Sequence, residues 1–118
     1  MSPDYVGEWI SSPTHESSDF EFFIDQADAS LGTSVLVKGH ITDKFGYAEF
    51  TGSMDPGSIT FTKLYSEEAR RNPRSAQGEI VYTGRKAGNK YVGTYRVLQN
   101  ERGAILDEGT FEMQKLVV

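Results

Sequence analysis

Lys63, Tyr65, Tyr82 and Tyr95 have the most chemistry to offer in this chain, because they fall on one phase of three segments that alternate apolar and polar residues. One ammonium among several phenol hydroxyls would hold a small anionic or polar aromatic ligand, with Phe61 and Phe111 on the same phase adding apolar surface. A buried ammonium is costly unless a carboxylate or a ligand sits beside it. The competing reading therefore puts Lys63 at a barrel end, reaching water past tyrosines that are ordinary core rings. With shifted pKa values, lysine and tyrosine also serve as base and acid, the chemistry of a small isomerase or cyclase, but no catalytic motif accompanies them.

Such residues need strands to position them. Ile59, Phe61, Lys63 and Tyr65, then Ile80, Tyr82 and Gly84, then Tyr91, Gly93, Tyr95 and Val97 share one face, while Thr60, Thr62, Val81, Thr83, Val92 and Thr94 share the other. That period of two marks half-buried strands over Ser58–Tyr65, Gly78–Gly84 and Lys90–Leu98. Five more strands are expected near Tyr5–Ile10, Asp19–Asp25, Thr33–Thr42, Tyr47–Gly52 and Glu108–Leu116. An acidic loop is expected over Gln26–Gly32, and turns at Asp43–Gly46, Met54–Gly57, Gly88–Asn89 and Asn100–Gly103. Ser66 as cap and Asn72-Pro73 as terminator predict one short helical turn near 66–72. The fold class is all-β: an antiparallel eight-stranded up-and-down meander β-barrel, closed so that no strand edge is left open.

Gly7-Glu8-Trp9 on the opening strand, the strand count, and the glycine-aromatic cadence of Gly84, Gly93-Thr94-Tyr95 and Gly109-Thr110-Phe111 carry a family resemblance. The chain resembles the calycin-like barrels, the lipocalins and avidins. The resemblance implies a single barrel domain over 1–118 with a small-molecule site inside, and a role for Gly7 and Trp9 in closing the barrel base. Biotin is not implied, since Trp9 is the single tryptophan.

Whether a cavity exists turns on volume. Trp9, Phe20, Phe22, Phe50, Phe61, Tyr65, Tyr82, Tyr91, Tyr95 and Phe111 are expected to point inward and are enough to fill an eight-stranded barrel. Gly39, Gly84 and Gly93 on the same face subtract volume and would open a pocket.

The remaining candidates have plain readings beside the sharp ones. His15 and His40 are isolated, which falls short of a metal site, and both are expected at the surface. Asp25 and Asp28 lack the rest of a calcium loop, and a triad assembled from His40, Asp43 and a serine has no nucleophile motif. Arg70, Arg71 and Arg74 would clamp a carboxylate or phosphate at the barrel mouth, or else form a solvated turn paired with Glu67 and Glu68. Leu64, Val81 and Val92 point outward on neighbouring strands and suggest a homodimer through the outer wall.

A net charge of −5 on 118 residues argues against nucleic acid and anionic membranes as partners. The N-terminus has no basic region followed by an apolar run, and no cysteine is present, so a cytoplasmic protein is expected. No metal or cofactor is implied. The leading function is a non-enzymatic binding module for a small polar or amphipathic ligand near Lys63, Tyr65, Tyr82, Tyr95, Phe61 and Phe111. A protein-interaction or inhibitor-like module with a filled barrel is the alternative, and an isomerase-type or cyclase-type enzyme the third.

Overall fold

Eight strands follow one another round a single closed ring, each hydrogen-bonded in antiparallel fashion to its neighbours in sequence, with the last returning to the first. The computed structural model describes residues 2–29, 32–98 and 105–116. The strands are β1 (Tyr5–Ser11), β2 (Ser17–Ala29), β3 (Val35–Asp43), β4 (Gly46–Met54), β5 (Ser58–Tyr65), β6 (Ile80–Ala87), β7 (Lys90–Leu98) and β8 (Ile105–Lys115). Closure is made by β1, where Trp9 lies opposite Ser18 on one side and Phe111 on the other. The predicted meander barrel is the observed fold.

Local chemistry explains most of the boundaries. At the β4–β5 turn the Asp55 carboxylate accepts hydrogen bonds from the Gly57 and Ser58 backbone N–H groups at 2.8 and 2.7 Å. The predicted Gly88-Asn89 turn joins β6 to β7, with Gly88 at φ +64°. The helical turn covers only Ala69–Arg71, shorter than 66–72: the Ser66 hydroxyl accepts from the Ala69 N–H at 3.1 Å, and Asn72 is already extended, as a residue before proline prefers.

The largest boundary error is in β2. Gln26 to Ala29 form strand rather than loop, paired with Lys38 to Val35 after a bulge between Ile24 and Gln26. Because Asp25 to Ala29 are all exposed, no apolar alternation marks them as strand. β6 runs on to Ala87 and β8 begins at Ile105, and the expected turn at Asn100–Gly103 lies outside the described residues.

The interior is packed with rings. Phe22 stacks on Phe50 at 4.2 Å between centroids, Phe61 stacks on Tyr82 at 4.5 Å, and Phe111 meets the edge of Tyr82 at 5.0 Å. Each such ring removes about 150–250 Å² from water, and stacked pairs add about 0.5–1.5 kcal/mol beyond that. The inward glycines do not open a pocket here. A Cβ on Gly39 would strike the Phe23 carbonyl oxygen and come within 2.8 Å of the Phe50 ring; one on Gly93 would strike the Thr83 carbonyl oxygen. The space each glycine leaves is filled by a neighbouring strand or ring.

Candidate functional site

On β3 the inward phase of Val37, Gly39 and Ile41 continues to Asp43, so a carboxylate enters the barrel where the strand ends. It meets Lys63 from β5. The two side chains are 0% and 1% exposed, with Lys63 Nζ 2.7 Å from Asp43 Oδ2. That same oxygen accepts from the Tyr65 hydroxyl at 2.5 Å and from Trp9 Nε1 at 3.1 Å, while Oδ1 accepts from the Phe45 N–H at 2.9 Å. Lys63 also donates to the Tyr65 hydroxyl at 3.0 Å and lies 4.4 Å from that ring's centroid. Lys63 therefore does not reach water, because an internal carboxylate compensates the charge where it stands.

The electrostatics follow from burial and pairing. Burial alone would raise the Asp43 carboxyl, but the Lys63 charge and hydrogen bond, followed by the hydrogen bonds from Tyr65 and the Phe45 N–H, hold it below the usual carboxylate range. Burial pulls the Lys63 ammonium down, opposed by Asp43. Burial and then the Asp43 charge push the Tyr65 and Tyr82 phenols upward, and burial followed by Asp107 does the same to Tyr95.

A second polar node lies at the same end. Ser11, the last residue of β1, donates to Asp107 Oδ1 at 2.7 Å, and the Tyr95 hydroxyl donates to Oδ2 at 3.3 Å. Above both nodes sits the connection 66–79, a lid over the barrel mouth. Arg74 of the lid forms an ion pair with Glu16 of the β1–β2 loop, and Lys44 of the β3–β4 turn joins it at 3.0 Å. Under the lid is a cavity of about 40 Å³ lined by Trp9, Phe45, Tyr65, Tyr82, Tyr95 and Asp107, together with Glu16, Arg74, Ala76, Ile80 and Val97. The Tyr82 hydroxyl forms no hydrogen bond with any described residue.

Of the predicted site residues, Tyr65, Tyr82 and Tyr95 border this cavity, with Lys63 behind Tyr65. Phe61 and Phe111 lie deeper, in the ring packing. Asp43 as the partner of Lys63, Asp107, Ser11 and Glu16 went unrecognised, although Ser11, Asp43 and Asp107 each continue an inward phase of their strand. Trp9 lies at the lid end, bonded to Asp43.

The other candidates disperse. His15 is exposed; His40 is half-buried, Nδ1 2.8 Å from Asp25 Oδ2 and stacked on Phe23 at 4.5 Å. That stack accounts for Phe23, an apolar residue on an outward phase. Asp28 accepts from Gln26. Among the described residues no group of three or more metal-ligating side chains gathers. Among the described residues no ion pair joins Arg70, Arg71 or Arg74 to Glu67 or Glu68, and Arg74 reaches across to Glu16 instead. On the outer wall Leu64 and Val92 are exposed and Val81 is half-buried, with Thr62 and Arg96 opposite Val81 and Arg85 opposite Val92. Among the described residues no helix is long and apolar enough to cross a membrane. Comparison with known protein families, with curated proteins and with solved structures found no match for this chain.

Proposed function

We propose that this protein is a non-enzymatic, calycin-like binding module that takes a small polar or amphipathic ligand at the lidded end of its barrel. The observation that carries this reading is the segregation of polarity: Ser11, Asp43, Lys63 and Asp107 are gathered at one end of an otherwise ring-filled interior, beside a cavity that Tyr65, Tyr82 and Tyr95 border. A scaffold with no ligand has little use for that arrangement, since buried polar groups stabilise poorly compared with apolar ones. Acid–base catalysis draws less support, because Lys63 is engaged with Asp43 and the Tyr65 hydroxyl, and Tyr65 donates its own proton to Asp43.

The test is a fragment library screened by amide chemical-shift perturbation. Binding that perturbs Tyr65, Tyr82, Tyr95 and the 66–79 lid is expected. Shifts confined to the outer wall would overturn the reading and favour the protein-interaction module. That second reading is supported by the filled interior and by the outward ring row Phe23–His40–Tyr47, stacked at 4.5 and 5.4 Å.

A further inference from the structure

The charges around the lidded cavity are not paired evenly. Asp43 is matched by Lys63, and Glu16 by Lys44 and Arg74. Asp107 has no cationic partner among the described residues; its two oxygens hold one hydrogen bond each, from Ser11 and Tyr95, out of about four acceptor positions on a carboxylate. Around it stand the rings of Trp9, Tyr82 and Tyr95, with Trp9 edge-on to Tyr95 at 6.2 Å and Tyr82 stacked on Tyr95 at 5.4 Å. Aromatic faces beside a carboxylate with no cationic partner among the described residues are the chemistry that recognises a cation. These rings already serve that purpose within the chain, since Lys44 Nζ lies 5.6 Å from the Trp9 ring and Lys63 Nζ 5.7 Å from that of Tyr82.

We infer that the ligand of the lidded cavity is a primary organic ammonium, its headgroup on Asp107 and among the rings of Trp9, Tyr82 and Tyr95. This deepens the function proposed above and rests on it. Size supports a headgroup alone: about 40 Å³ is far below the several hundred Å³ that enclose a whole drug-sized ligand. The tail leaves past Arg74, which lines the cavity and is 68% exposed. An ammonium donates three hydrogen bonds, for which Asp107 and the Tyr82 hydroxyl supply acceptors.

The experiment compares benzylammonium, benzyl alcohol and benzoate, three probes of one shape and different charge. Trp9 fluorescence reads the site without labelling, because Trp9 is the single tryptophan. Benzylammonium is expected to bind at least about tenfold tighter than benzyl alcohol, the ratio expected of a partly desolvated cation among rings. Asp107→Asn is expected to abolish that preference. Equal or tighter binding of benzyl alcohol or benzoate at the lid end would overturn the inference and leave the binding-module reading standing. Failure of all three probes, with no library fragment shifting the lid-end amides, would overturn both. The comparison among the three probes uses the unmodified protein, so the inference stays open to refutation even if Asp107→Asn fails to fold.

Discussion

One oxygen, Oδ2 of Asp43, accepts from Trp9, Lys63 and Tyr65, so removing either charge strands the other away from water. Lys63→Met is expected to cost about 3–5 kcal/mol in urea unfolding, the usual penalty for an orphaned buried charge. Asp43→Asn with Lys63→Met should recover all but about 1–2 kcal/mol, because the amide keeps an acceptor for Trp9 and Tyr65 and no charge remains. The pair also sets a pH dependence. Asp43 has a lower pKa folded than unfolded, so the unfolded chain takes up the proton first as the solution is acidified. Its contribution is present above the unfolded value near 4 and is lost as pH falls through the folded one. Unfolding at a series of pH values from 6 to 2 should show a steeper loss in the native chain than in the double variant.

At the scale of the element, strands were legible wherever one face is buried. β5 and β7 have the predicted bounds because each alternates through its whole length. The outer half of β2 was not legible, since both its faces meet solvent and only pairing with β3 makes it a strand. The candidate site was half legible: its tyrosines follow from the period of two, but Asp43 pairs with a residue 20 positions away, a contact made only when the barrel closes. Its inward phase was nonetheless visible, two residues beyond Ile41. Glycines were misjudged because their spacing reveals the missing side chain and not the neighbour that takes its place. Gly93→Ala, whose Cβ would drive into the backbone of Thr83, is expected to destabilise by at least about 2 kcal/mol in chemical denaturation, at the upper side of ordinary overpacking. Gly88→Ala should cost only about 1 kcal/mol, since nothing lies within 4 Å and the sole penalty is its positive φ.

At the scale of the whole molecule, the eight strands share one core and no described strand has a free edge, so no part of the sheet can leave without opening the ring. Unfolding should therefore be all-or-none. Far-ultraviolet circular dichroism and Trp9 fluorescence are expected to give coincident transitions in urea; an earlier change in Trp9 would mean that the lid end melts as a separate unit.

Trp9, Asp43 and Lys63 with Tyr65 belong to β1, β3 and β5, three strands of which no two are adjacent. Their common bond to one carboxylate is thus a brace across the ring and not along it. A hoop braced in this way resists being drawn into an oval. For the ligand proposed above, the way in would then lie past the cover, and loosening the peripheral pair of Glu16 with Arg74 is expected to speed exchange more than any change in the core.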